Sequence, residues 1–461
     1  MPTSSLPGTS NGVVAELPAV SVPTPRWKRY LHQVIASEIS SFTRYYDSVL
    51  QWGRTPEDNG TLLDAVDCPN KRMLADDEPF PDLTHEHDRR TAVLLVGTIN
   101  HHLDIEALLR ELASKLSRTS RVAVVAFNPY LQWLYRITLA LGLKAGTMPT
   151  TFVTMTDLDN LCRLAGFERV RVRSAAYFPW RLLGLGALIN RVMPAIPLLR
   201  HLALTSVIVL RPILRSSGRP SITVVIPARN ERGNIAPAIE RLPDLGGEVE
   251  VIFVEGHSND GTWEEIERVQ REHGTRMRIL AHRQTGIGKA DAVRLGFAKA
   301  TGELLTILDA DLTMPPEMLP RFIDAYIAGK ADFINGSRIV YPMEGEAMRF
   351  LNRLGNVFFA KALTSVLGVR IGDALCGTKV VTRHDYARMC AWRADFGDFD
   401  PFGDFELLFP AAVLGLGVID VPIRYRARTY GATSISRFRH GLELLKMTMV
   451  GFFRLKLGRV P

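Results

Sequence analysis

The chain has 461 residues, too many for one ordinary hydrophobic core, so two domains are expected. With 46% hydrophobic and 23% charged residues it has the composition of a soluble globular protein, and its net charge of +8 points to an anionic partner. Arg/Lys runs interleaved with aromatics are missing, which excludes a nucleic-acid platform and leaves phospholipid headgroups and phosphorylated substrates. Four scattered cysteines (Cys68, Cys162, Cys376, Cys390) form neither a zinc motif nor a disulfide framework, and suit a reducing cytoplasm.

In chain order, residues 1–27 are rich in Pro, Ser and Thr and lack a basic start followed by an apolar block. They read as a disordered tail rather than a signal peptide. Residues 28–213 form a first domain. TAVLLVG (91–97) and RVAVVAF (121–127) predict buried strands, separated by the helix DIEALLRELASKL. The helix TDLDNLCRLAGF, the strand ERVRVRSAAYF and the strand VIVL follow. This alternation predicts an α/β fold with a mainly parallel sheet. Leu182–Leu214 is the nearest approach to a membrane span, but Arg191, Arg200, His201, Arg211 and three prolines interrupt it. His101 and His102 form a loop pair without a third ligand and do not read as a metal site.

LRSSGRPS (214–221) has linker composition, which places a linker at 214–220 and a second domain at 221–461. There the pattern restarts as strand ITVVIPA, helix NERGNIAPAIERL, strand VEVIFVEG, helix TWEEIERVQREHG, strand MRILAHR, helix KADAVRLGFAKA and strand ELLTILDAD. This is a nucleotide-binding α/β half, in which ligands gather beyond the carboxyl ends of the strands. Asp309 and Asp311 close the last strand two residues apart, and extended geometry would aim both at one ion. Two carboxylates so close repel unless a cation shares them, and Mg²⁺ or Mn²⁺ is the natural occupant because it also binds diphosphate oxygens. The competing reading is an ordinary turn in which Asp caps a helix.

These motifs, taken in order over roughly 221–440, resemble family 2 glycosyltransferases of the GT-A fold, and most closely the polyprenyl (dolichol) phosphate mannosyl- and glucosyltransferases. The resemblance implies a nucleotide-sugar site built from Pro227, Ala228, Asn230, Glu231, Glu255, Gly288, Lys289, Asp309 and Ala310, with Asp309 and Asp311 on the metal. It gives catalytic roles to Asp311, Arg338 and Asp404, and acceptor contacts to Arg338, Lys379, Arg426 and Ser434. Glu255-Gly256 stands where the family often has two aspartates, and Thr313 where the lipid-phosphate enzymes commonly have Gln.

The implied reaction is inverting transfer of a hexose to a polyprenyl-phosphate-type lipid. A family 2 enzyme acting on a glycan or small-molecule hydroxyl, with Asp404 or Glu406 as base, is the alternative. The basic stretch IRYRARTYGATSISRFRHG favours the phosphate acceptor, since an anion needs cations and no base. The tail LELLKMTMVGFFRLKLGRVP, apolar on one side, suits either a peripheral position at the cytoplasmic face of a membrane or packing against its own domain.

The first domain resembles a class I S-adenosylmethionine-dependent methyltransferase, a Rossmann-like fold. Only Gly53 and Gly60 stand where the glycine-rich first turn belongs, and the second strand is missing or shortened between Val66 and Asp82. A degenerate domain, used for scaffolding or acceptor placement, is therefore expected over an active methyltransferase binding S-adenosylmethionine.

Overall fold

The computed structural model describes residues 24–53, 55, 60–75, 77–141, 148–196, 198–341, 350–397, 400, 403–428, 430 and 437–457. Ser434 and most of the expected tail lie outside these, and the helix Arg26–Thr43 begins just inside the tail's expected end.

The first sheet has the order β2-β1-β3-β4-β6-β5, from β1 (Ser48–Gln51), β2 (Asn70–Met73), β3 (Thr91–Val96), β4 (Arg121–Phe127), β5 (Phe167–Ala175) and β6 (Thr205–Pro212). β2, β1, β3 and β4 run parallel, while β6 is antiparallel to both β4 and β5. β3 and β4 are buried along almost their whole length, as expected of central parallel strands covered on both faces. The strand sought between Val66 and Asp82 is β2, four residues long and exposed at the sheet edge.

The second sheet has the order β13-β11-β12-β10-β7-β8-β9. It is made of β7 (Ile222–Ala228), β8 (Val249–Glu255), β9 (Arg278–Arg283), β10 (Leu304–Ile307), β11 (Phe333–Ser337), β12 (Lys379–Thr382) and β13 (Val418–Pro422). β12 runs antiparallel to β10 and β11, and the other pairs are parallel. Side-chain alternation splits β7 between two cores: Val224 and Ile226 pack with Ile239 and Phe322, and Val225 packs with Phe297 and Leu408 on the other face. Gly296 lets the helix Lys289–Lys299 lie directly on Val225, where a Cβ would come within 2.3 Å of a valine methyl. Among the described residues, no helix is long and apolar enough to cross a membrane.

Arginines join the two domains. Asp332, buried just before β11, accepts from Arg121 Nη2 at 2.6 Å and from the Gly417 amide at 2.9 Å, with Arg211 and Arg118 at 3.5 and 3.6 Å. Arg90 pairs with buried Asp385. The helix Phe405–Val413 ends against the first domain: Val413, Leu414 and Gly415 carbonyls accept from Arg171 (3.0 Å), the Tyr46 hydroxyl (2.7 Å) and Arg121 Nε (2.7 Å). Carbonyls at a helix C-terminus lack intrahelical donors, so these contacts satisfy groups that burial would otherwise leave costly.

Burial pushes the Asp332 carboxyl up, but the surrounding guanidinium groups more than offset this and hold it well below the ordinary carboxylate range. Its contribution to stability is therefore complete above the unfolded-state value of about 3.9 and is lost progressively as pH falls below it. Asp332→Asn leaves buried arginines uncompensated and should cost about 3–5 kcal/mol in urea unfolding at neutral pH. The acid limb of stability against pH should flatten in the variant; an unchanged limb would show that Asp332 does not carry it.

Candidate functional site

The sequence-predicted residues converge at the carboxyl ends of β7, β8, β10 and β11, next to the start of antiparallel β12. After Pro227 and Ala228 the chain leaves β7 and turns at Asn230, whose φ is +55°. The amides of Asn230, Glu231 and Arg232 donate to Ser258 Oγ (2.9 Å), Thr262 Oγ1 (3.0 Å) and Asp260 Oδ2 (3.2 Å). The helix Arg232–Glu240 is thus capped by the loop after β8, since no bond from its own N-cap side chain serves it. Glu255, the predicted base or ribose carboxylate, is buried and accepts the Ser258 amide at 2.5 Å, which fixes that same loop.

The acidic pair departs from the extended geometry expected of it. β10 ends at Ile307, and Asp309–Leu312 forms a turn, with the Leu312 amide on the Asp309 carbonyl at 3.1 Å and Leu312 at φ +53°. The turn arises because Asp311 Oδ1 accepts both the Thr313 amide (3.1 Å) and hydroxyl (2.8 Å), a local bond that competes with strand pairing. Thr313 therefore holds Asp311 in place.

Each carboxylate has a cation. Lys289 Nζ lies 2.5 Å from Asp309 Oδ1, and Arg428 Nη2 lies 3.0 Å from Asp311 Oδ2 and 2.9 Å from Glu231 Oε1. Burial pulls the Lys289 ammonium down, but Asp309, with Asp404 and Asp311 nearby, holds it above the ordinary lysine value. Burial likewise pushes Asp309 up, and Lys289, Lys379 and Arg338 hold it below the ordinary range. At Glu231 burial wins over Arg428 and Asn234, so its carboxyl sits above the usual value. Gly377 lies against the Lys289–Asp309 pair, where a Cβ would stand 2.2 Å from both charged groups. Gly288 enters its helix at φ +96°, and Ala310 is buried in the turn.

Behind this front stand two further pairs. Arg338 is held bidentately by buried Asp373 (Nε–Oδ2 2.6 Å, Nη2–Oδ1 2.8 Å), with its guanidinium 5.4 Å from the Tyr425 ring. Lys379, read from sequence as an acceptor contact, is buried. Its ammonium donates to Asp404 Oδ1 and the Cys376 carbonyl, both at 2.5 Å. Asp404 is correspondingly neutralised, and Glu406 is held by Arg294 (2.9 Å) and Arg393 (3.4 Å). Neither lysine–aspartate pairing is visible in sequence, since the partners lie 20 and 25 residues apart on different elements.

Residues 424–428 and 430 lie over the site. The Arg426 amide donates to the Thr313 carbonyl at 2.8 Å, and the Tyr430 hydroxyl to Asp260 at 3.3 Å. Arg424, Arg426 and Arg321 line an open groove of about 480 Å³ together with Pro315, Met318 and Tyr341. Sequence reasoning singled out Arg424 and Arg426 but missed Arg321, which the helix Leu319–Ile327 brings to the same groove.

Residues 223–388 match the family Glycosyl transferase family 2. A dolichyl-phosphate hexose transferase of Haloferax volcanii is 30% identical over 228 residues, covering 49% of this chain and 91% of that protein. A dolichol-phosphate mannosyltransferase of Mycosarcoma maydis is 27% identical over 260 residues, covering 53% and 83%. Among solved structures, a mannosyltransferase of Pyrobaculum calidifontis in complex with GDP-Man and Mn²⁺ aligns with a TM-score of 0.38 and 18% identity, over 54% of this chain and 69% of that one.

Exposure separates the two lysine pairs, and stability should report it. Lys379→Met leaves Asp404 buried and uncompensated, at a cost of about 3–5 kcal/mol. In the Lys289–Asp309 pair the side chains are 33% and 28% exposed, so Lys289→Met should cost no more than about 1 kcal/mol. Urea midpoints that rank the two variants the other way would reverse the assignment of supporting and solvent-facing pairs.

Proposed function

The chain belongs to glycosyl transferase family 2, and from that premise we propose that residues 221–461 move a hexose from a nucleotide-sugar to a polyprenyl-phosphate-type lipid, inverting the anomeric carbon. The observation that carries the acceptor class is the state of the carboxylates. Asp404 and Glu406, which a hydroxyl-directed relative would use as base, are buried and committed to Lys379, Arg294 and Arg393. A sugar hydroxyl must lose a proton to attack, whereas a lipid phosphate is already anionic and needs only positioning.

In this reading the loops after β7 and β8 hold the nucleoside, through Asn230, Glu231 and the Glu255-ordered turn. The diphosphate lies over Lys289, Gly288 and Arg428. Asp309 and Asp311 would hold a divalent cation, Mg²⁺ or Mn²⁺. The fit is good: the chain supplies two carboxylates on one turn, and such ions take one or two protein carboxylates together with substrate phosphates. A divalent ion held by Asp309 and Asp311 would supply positive charge to offset that of a diphosphate leaving group. The anomeric C–O bond breaks with its electron pair leaving on the diphosphate, and a phosphate oxygen of the acceptor forms the new bond, so no proton is transferred. Arg338, with two of its N–H groups on Asp373, is held rigid and leaves its Nη1 edge for an anion. The groove of Arg424, Arg426 and Arg321 also carries Glu317, itself held by Arg241, and its cationic surplus beside Met318 and Tyr341 suits a phosphate carrying a hydrocarbon chain.

For the first domain we retain the methyltransferase-like reading, as a scaffold. The order β2-β1-β3-β4-β6-β5 with an antiparallel closing pair supports the likeness, and the arginine ring on Asp332 supports the structural role.

A transfer screen with Mn²⁺ or Mg²⁺ and a polyprenyl phosphate tests the proposal. Asp311→Asn should lower transfer at least about a hundredfold, near 2.7 kcal/mol of barrier. The double variant Asp404→Asn/Lys379→Met removes the buried pair without leaving a bare charge, and should keep transfer to lipid phosphate within about tenfold. Its complete inactivation in a folded protein would favour a hydroxyl acceptor with Asp404 as base.

A further inference from the structure

The first domain carries an apolar face that its own core does not use. In the helix Leu185–Val192 the inward residue is polar. Asn190, 3% exposed, accepts from the Tyr177 and Phe178 amides at 2.7 and 3.0 Å and donates to the Phe178 carbonyl at 2.9 Å. The outward residues are Leu185, Leu188 and Val192, beside exposed Arg191. An ordinary surface helix has the opposite arrangement. The turn before it holds Leu182 and Leu183 in left-handed backbone (φ 38° and 52°), with Leu183 fully exposed. Strain is thus spent on keeping leucines in water, which burial inside this domain does not explain. The helix Gln132–Ala140 shows Trp133, Arg136 and Ile137 outward and adjoins the turn Leu199–Leu202 through the Tyr130–His201 ring contact at 6.0 Å.

We propose that this face docks the protein on an anionic lipid bilayer. Charge argues for that occupant. Between Glu168 and Glu231 the chain has no carboxylate side chain, whereas Arg181, Arg191 and Arg200 stand among exposed leucines and Trp180. Basic residues interleaved with Leu and Trp, without acids, fit phospholipid headgroups above a hydrocarbon edge.

The second domain carries an apolar strip of its own. The helix Arg437–Gly451 exposes Leu442, Leu445 and Met449, and Phe453 follows, with Lys446 and Arg454 along an open groove of about 410 Å³. Its end meets the first domain, where Arg173 Nη2 donates to the Leu455 carbonyl at 3.2 Å.

The test is sedimentation of the full chain with phosphatidylcholine vesicles, with and without phosphatidylglycerol, and with neither sugar donor nor polyprenyl phosphate present. Failure here leaves the transferase reading intact, and loss of transferase activity leaves this inference intact. The wild type should bind the anionic vesicles, more weakly in high salt, with a blue shift in tryptophan emission. Leu183→Glu/Leu188→Glu should lower partitioning about tenfold or more with unchanged circular dichroism. Arg191→Gln, at an exposed position, should weaken binding less and reduce its salt dependence. No binding by the wild type, or equal binding by a folded leucine variant, would overturn the inference. So would self-association without vesicles that the leucine variant abolishes, because it would give the face to a second copy of the chain.

Discussion

A buried carboxylate ringed by the arginines of another domain governs the shape of this molecule. Asp332 sits at the foot of β11, and the strand it anchors ends five residues later at Ser337, where Arg338 begins the site. Its neighbour in the same interface, the loop 413–417, closes the helix Phe405–Val413, whose opposite end carries Asp404 and Glu406. The first domain therefore grips two elements by the ends remote from the chemistry. A charge desolvated this thoroughly tolerates only the geometry that satisfies it, because any other leaves several guanidinium groups in a low-dielectric space.

The site follows a similar logic at smaller scale. Cations and carboxylates alternate across it: Lys289 with Asp309, Arg428 with Asp311 and Glu231, Arg338 with Asp373, Lys379 with Asp404. Exposure grades them. The rear pairs at Asp373 and Asp404 are buried and fix orientation, while the front pairs are partly open, as the proposed exchange of partners with a diphosphate would require. Electrostatic preorganisation of this kind needs no rearrangement at the moment charge develops.

The proposed membrane face gives the molecule a direction. A transferase whose acceptor carries a hydrocarbon chain would gain by lying on the surface that holds it, and the second domain's apolar strip ends where Arg173 of the first domain donates to the Leu455 carbonyl. The same arginine-joined interface that orders the site would then hold the two halves of that face in register.

Much of the second domain was legible from the chain alone. The central strands are unbroken apolar runs because both their faces are covered, and Asp309 and Asp311 announce themselves through short-range spacing after a strand, while Gly288 and Lys289 were implied by the family resemblance. Tertiary contact decided what spacing cannot encode. It bent the acidic pair into a turn through Thr313, set Lys379 behind the site rather than in it, and turned Asn190 inward with its leucines outward. It also matched the arginines of the first domain to a single aspartate more than a hundred residues away. Local hydrogen bonding and hydropathy act over a few residues and are written into sequence order. The partner of a buried charge is chosen by which elements the fold brings together, and that exists only once the chain has closed on itself.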